Sequence, residues 1–170
     1  ILSIFLSNYR LNSLYLSSVD MEFPSVLDDI SEIADRILEI ANHKILLFFG
    51  EMGVGKTTLI KAIARKLGAE ENVSSPTFSI VNEHVLKVGK LYHFDFYRIE
   101  SDEELFDLGI DEMLESGHWC MIEWPEKAES ILPLNTTKII INTDNNEAYR
   151  LIETYTTEEA YCKIQLYEIM

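Results

Sequence analysis

Apolar positions along the chain switch between two rhythms, one helical and one extended. From Ser25 onward, Ile30, Ile33, Ala34, Ile37, Leu38 and Ala41 recur at three- and four-residue spacing with acids on the other face. That spacing predicts an amphipathic helix, ended by Asn42-His43. Lys44-Ile45-Leu46-Leu47-Phe48-Phe49 is a short apolar run and reads as a buried strand. Helical spacing returns from Leu59 to Leu67, with Gly68 placed to cap it. Pro76 biases Ser75 toward extended backbone and ends any helix. Thr77 to Val85 and Leu91 to Tyr97 then read as strands. Phe78, Ile80, Tyr92, Phe94 and Phe96 alternate there, and Lys87-Val88-Gly89-Lys90 forms a hairpin turn. Ser101, with Glu104 three residues later, predicts a capped helix start. Gly109 interrupts it, and Asp111 to Glu115 reads as a second short helix. Trp119-Cys120-Met121-Ile122 is a buried strand running into Glu123-Trp124-Pro125. Lys138 to Asn142 and Tyr149 to Thr154 read as late strands around an Asp-Asn-Asn turn. The amphipathic stretch from Thr157 predicts a terminal helix.

Composition narrows the class. The length suits one domain with a substantial core, assigned to residues 21–170. Residues 1–20 are apolar, Ser-rich and aperiodic, without the basic start, apolar core and small-residue cleavage site of a signal peptide. They read as an extension from an upstream start, with Met21 the expected native start; an extra strand or arm is the alternative. No apolar run approaches the ~18 residues of a membrane span. The formal charge of −15 opposes direct binding to nucleic acid, which calls for a basic face, and suits a basic protein partner or a solvated surface. Cys120 and Cys162 are far apart and match no zinc spacing or disulfide framework, so a reducing cytoplasm fits. Cys120, in an apolar run, reads as a buried thiol.

The chemistry starts between the first strand and the next helix. Gly50-Glu51-Met52-Gly53-Val54-Gly55-Lys56-Thr57-Thr58 fits G-x-x-x-x-G-K-[ST], the phosphate-binding loop of nucleotide hydrolases and kinases. Glycines let the backbone curl so that N–H groups point at phosphate oxygens, and the helix N-terminus adds positive partial charge. Lys56 is suited to the β- and γ-phosphates and the Thr57 hydroxyl to Mg²⁺. The expected fold is α/β: a three-layer, P-loop NTPase-like sandwich. Its sheet is mixed, because the local hairpin departs from an all-parallel arrangement.

Such a loop needs a partner acid, because Mg²⁺ takes oxygen ligands and hydrolysis needs a group that positions water. Asp95, in His93-Phe94-Asp95-Phe96-Tyr97-Arg98, and Glu123, directly after an apolar strand, stand where that chemistry wants them. Which of the two positions water stays open. Thr77, in a loop shortly after the glycine-loop helix, is a candidate to respond to a γ-phosphate. His43, His84, His93 and His118 share no metal-ligand spacing, and His93 reads as a packed strand histidine. Phe94, Phe96, Tyr97 and Trp124 read as core and rim packing.

The glycine loop, Ser75-Pro76-Thr77, the His93–Arg98 segment and Glu123-Trp124-Pro125 occur in this order and at compatible spacing. Together they resemble the TsaE (YjeE) family, the small bacterial ATPases of tRNA threonylcarbamoyladenosine synthesis. The resemblance covers about residues 25–155, with weaker support from Glu103-Glu104-Leu105 and Gly109-Ile110. It implies ATP and Mg²⁺ as cofactors, weak hydrolysis by the isolated chain, and TsaB-like and TsaD-like partners. TsaD transfers the threonylcarbamoyl group to adenosine-37, and tRNA is met only through the complex. The resemblance implies phosphate binding by Lys56 within the loop of Glu51, Met52, Gly53, Val54, Gly55, Thr57 and Thr58. It implies Mg²⁺ at Thr57 and Glu123, a functional acid at Asp95, a switch-like threonine at Thr77 and a tryptophan beside the site at Trp124. Adenine contacts are expected near Leu27–Ser31 and Glu147–Arg150, without a sharp motif in either.

Two other readings compete. A small-molecule kinase usually places several arginines over the transferring phosphate; only Arg65, Arg98 and Arg150 follow the loop here. A GTPase lacks support because no Asn-Lys-x-Asp segment is present. A nucleotide-gated interaction module, in which ATP merely selects the partner, remains open.

Overall fold

The computed structural model describes residues 30–69, 73–76, 79–143, 149–156 and 161–168, with the backbone alone beyond residue 142. The expected extension over residues 1–20, the Ser25 helix start, Thr77, the Asp-Asn-Asn turn and the residues expected near adenine at 27–29 and 147–148 lie outside these.

A seven-stranded sheet has the order β2-β3-β4-β1-β5-β6-β7. The strands are β1 (Ile45–Phe49), β2 (Val81–Val85), β3 (Lys90–Asp95), β4 (Trp119–Glu123), β5 (Thr137–Thr143), β6 (Tyr149–Thr156) and β7 (Tyr161–Glu168). The inner run β3-β4-β1-β5 is parallel. β2 joins β3 antiparallel, and β6 and β7 extend the other side antiparallel. The mixed α/β sheet is therefore as expected. Among the described residues the α-helices are α1 (Ile30–Ile40), α2 (Lys56–Lys66), α3 (Asp102–Asp107) and α4 (Ile110–Glu115).

Period-two alternation sorts the parallel strands onto two layers. Leu46, Phe48, Leu91, Met121, Ile139 and Ile141 form one core with Ile33, Ala34 and Ile37 of α1 and Leu59, Ile60 and Ile63 of α2. Leu47, Phe94, Cys120 and Ile122 form the other with Leu105 of α3 and Ile110 and Leu114 of α4. β1 and β4 feed both cores, which is why they read as continuous apolar runs.

β2 starts at Val81, with Ser79 and Ile80 in a bend before it, where the sequence reading began a strand at Thr77, and three other places also differ from that reading. β3 stops at Asp95, and Phe96–Arg98 turns into a 3₁₀ helix whose Tyr97 N–H donates to the Asp95 side chain. Phe96 is fully buried by that turn and not by strand alternation. α2 begins at Lys56, earlier than the apolar periodicity, because Gly55 in left-handed conformation starts it directly from the loop. The stretch expected as a terminal helix is strand β7 over Tyr161–Glu168, paired to β6. Cys162, Ile164 and Leu166 alternate with Lys163 and Gln165, and pairing to an open sheet edge outweighs the weak helical pattern. Gly68 does end α2: its N–H reaches the Arg65 carbonyl at 3.0 Å and that of Ala69 the Ala64 carbonyl at 3.0 Å.

Candidate nucleotide site at the ends of the parallel strands

Parallel pairing brings three strand ends to one level. Phe48, next to last in β1, lies opposite Glu123, and Asp95 lies opposite Glu123 on the other side. The end of β1, the end of β4 and the end of β3 thus meet at the carboxyl edge of the sheet, where open α/β sheets carry their sites.

The loop from Gly50 to Gly55 leaves β1 through glycines with φ of 145°, 80° and 106° at Gly50, Gly53 and Gly55. At Gly50 a Cβ would lie 2.5 Å from the Ile141 carbonyl oxygen, so no larger residue fits beside β5. Val54 tucks its side chain into the core and anchors the loop, while Met52 points outward. Lys56 is buried, and its Nζ donates to the Gly50 carbonyl at 2.6 Å and the Glu51 carbonyl at 2.9 Å. Burial holds its ammonium below the ordinary lysine value, opposed by the negative charges of Glu123, Glu126 and Asp95.

Glu123 is the centre of the arrangement. It is 4% exposed, and its Oε1 accepts the Thr57 hydroxyl at 2.7 Å and faces His93 Nε2 at 2.9 Å. A buried carboxylate needs such donors. Trp124 follows with φ 58° and ψ 49°, the one non-glycine residue with positive φ among the described residues. A bulky residue holds that conformation only where its surroundings enforce it. The turn carries the indole back over the loop: the Lys56 ammonium sits 4.0 Å from the ring centroid. Tyr97 packs on the same indole, ring centroids 5.0 Å apart.

Asp95 stands beside Glu123 in register, but its carboxylate accepts the Tyr97 N–H at 3.1 Å. It holds the turn that presents Tyr97 to Trp124. The segment around Thr77, itself not described, is tied on both sides to Arg98, which donates to the Pro76 carbonyl at 3.1 Å and the Ser79 carbonyl at 2.6 Å. The sequence-predicted residues Lys56, Thr57, Glu123 and Trp124 are therefore brought together, with Asp95 at the rim.

Sequence reasoning weighed a reach beside Asp95 for His93 but favoured a packing role, and left Arg98 without one. The available signal was periodicity: His93 lies two positions before Asp95, on the same strand face. Trp124, read as packing apart from the family resemblance, is also a contact of the loop lysine.

Among the described residues no group of three or more His, Cys, Asp or Glu is placed to hold a metal ion. A hydroxyl and one carboxylate next to a loop that can receive phosphates fit Mg²⁺, which keeps waters and shares phosphate oxygens. None of the described helices is long and apolar enough to cross a membrane.

The chain matches the family model described as threonylcarbamoyl adenosine biosynthesis protein TsaE over residues 25–152. It is 36% identical to the Haemophilus influenzae tRNA threonylcarbamoyladenosine biosynthesis protein TsaE over 72% of this chain and 77% of that protein. It is 41% identical to the Bacillus subtilis TsaE over 57% of this chain and 60% of that protein. Among solved structures it is similar to Bacillus subtilis YdiB, with a TM-score of 0.53 and 28% identity over 69% of this chain and 72% of that one. With its glycine loop, its paired hydroxyl and carboxylate and its mixed sheet in place, the chain belongs to the TsaE family of tRNA threonylcarbamoyladenosine biosynthesis.

Proposed function

We propose that this chain is the Mg²⁺-dependent, ATP-binding and ATP-hydrolysing subunit of the tRNA adenosine-37 modification machinery, and that it supports turnover of a TsaB–TsaD transferase. The observation that carries the reading is the convergence of Lys56, Thr57, Glu123 and Trp124 at one loop.

Bound ATP would supply a triphosphate whose charge the loop N–H groups and Lys56 are suited to offset. Mg²⁺ would be held by the Thr57 hydroxyl oxygen and by Glu123, and would neutralise charge on the phosphates. Thr57 keeps its proton on Glu123, so its oxygen lone pairs remain free to ligate. Lys56, now held by the Gly50 and Glu51 carbonyls, would exchange those contacts for phosphate oxygens. The acidic surface suits a subunit that contacts proteins and leaves tRNA to its partners. Two cysteines far apart in sequence, with no disulfide framework, fit a cytoplasmic protein.

The nucleotide-gated module is favoured by one observation. Asp95 Oδ1 caps its own turn and Glu123 Oε1 is engaged by Thr57 and His93, so each acid has one of its two oxygens committed within the protein. That restricts how either acid would orient water and suits the weak hydrolysis that the family resemblance implies. ATP turnover and tRNA modification, measured with and without TsaB-like and TsaD-like partners, separate the readings. Partner-stimulated turnover that Lys56→Ala abolishes supports the ATPase. Partner binding that needs ATP without any turnover supports the module, and full multi-turnover modification without this chain overturns both.

A further inference from the structure

His93 is fully buried, on the sheet face that carries Leu91, Met121 and Phe48. An imidazole there is a poor filler. Its Nδ1 has no hydrogen-bond partner, and an apolar side chain of similar volume would avoid that cost. What the imidazole gains is Glu123. His93 lies opposite Met121 in the β3–β4 register, one strand repeat below Glu123, and its Nε2 reaches Oε1 diagonally at 2.9 Å. A carboxylate only accepts, so Nε2 is the donor in this contact.

We propose that His93 is a positioning residue for Glu123. Its Nε2–H and the Thr57 hydroxyl grip the same oxygen from two strands' worth of sheet and loop, fixing the carboxylate plane before any ligand arrives. The carboxylate's second oxygen is then left to the metal side of the site. Without His93 the buried carboxylate would keep a single tether and swing about it. The inference rests on reading the site as one for Mg²⁺ and ATP.

The test uses the full chain and two substitutions. His93→Leu removes the donor while keeping apolar bulk. His93→Gln keeps an N–H near the position of Nε2. ATP binding is followed by calorimetry in EDTA and across a Mg²⁺ titration. ATP binding in EDTA is expected to be unchanged in both. The Mg²⁺ needed for half-saturation is expected to rise about ten- to a hundredfold in His93→Leu and to return close to the wild-type value in His93→Gln. A crystal structure of nucleotide-free His93→Leu is expected to show the Glu123 carboxylate turned off the Thr57 hydroxyl. A wild-type Mg²⁺ titration in His93→Leu, or a His93→Gln variant as weak as His93→Leu, overturns the role of His93. Absence of Mg²⁺-dependent ATP binding in the wild-type protein overturns the nucleotide reading itself, and the role of His93 with it. If His93→Leu fails to fold, His93→Asn, whose shorter amide stops short of Glu123, is compared with His93→Gln under the same criteria.

Discussion

The Thr57 hydroxyl donates to Glu123 Oε1 at 2.7 Å across sixty-six positions of sequence. Parallel pairing of β1 with β4 makes the contact, because it sets Phe48 opposite Glu123 and brings the start of α2 over the end of β4. Thr57→Val keeps the shape and removes the hydroxyl. Such a change is expected to weaken Mg²⁺ binding about ten- to a hundredfold, with ATP binding in EDTA retained. Calorimetric Mg²⁺ titration of the two proteins checks it, and equal titrations would remove Thr57 from the proposed metal site.

Lys56 is expected to be costly to the nucleotide-free protein and essential to the loaded one. Burial holds its ammonium below the ordinary lysine value. A lysine whose folded value is depressed binds its proton less well folded than unfolded. Its charge therefore opposes folding below the folded value, and the penalty is relieved as pH rises toward the unfolded value. Lys56→Met should leave the thermal midpoint of the nucleotide-free protein level or raised, while ATP binding is lost. Scanning calorimetry with and without ATP reads both, and a lowered midpoint would contradict the first half.

Trp124 reports on that lysine. The ammonium lies 4.0 Å from the indole centroid. On the proposed function it leaves the ring when phosphate arrives. In a Trp119→Phe variant Trp124 is the only tryptophan left, since the chain has two. Its emission is expected to shift on adding ATP, and the same titration in a further Lys56→Met background should be flat. An unchanged spectrum with bound ATP would show that the ammonium stays under the ring.

Gly50→Ala tests the close approach of loop and sheet. The new methyl would meet the Ile141 carbonyl oxygen at 2.5 Å and Val54 Cγ1 at 2.9 Å, at a φ of 145°. A destabilisation of about 3 kcal/mol is expected from the backbone strain and the crowding together. Urea unfolding measures it, and Gly53→Ala, where nothing lies within 4 Å, is expected to cost less through strain alone.

Cys120 is buried against α4, and burial pushes its thiol up to about 12. The thiol should resist alkylation at pH 8 in the native protein and react on unfolding. Peptide mapping by mass spectrometry distinguishes it from Cys162. The linkage has a definite sign. Between the unfolded thiol value, about 8.5, and about 12 only the unfolded state gives up the proton, so this group lowers stability as pH rises through that window. Cys120→Ala is expected to flatten that part of the stability profile.

Residue pattern by itself determined the local elements and half of the site. The apolar spacing of Ile33, Ala34 and Ile37 gives α1, and the run Ile45–Phe49 gives β1. Gly50 to Thr58 stands out in the sequence because a backbone that is to curl around phosphate needs glycines at fixed offsets and a lysine after them. These features are written over a few neighbouring residues, where sterics and period decide. Only tertiary structure decided that Glu123 would meet Thr57, that His93 would reach Glu123, and that the Asp95 carboxylate would turn to Tyr97. Those contacts depend on strand order and register, and nothing local distinguishes β4 as the neighbour of β1. The left-handed turn at Trp124 was equally illegible, because a tryptophan adopts it only under constraint from the packed residues around it. The tail misread as helix has the same cause: Tyr161–Glu168 becomes a strand because β6 offers it an edge, and that edge exists only once the sheet has formed.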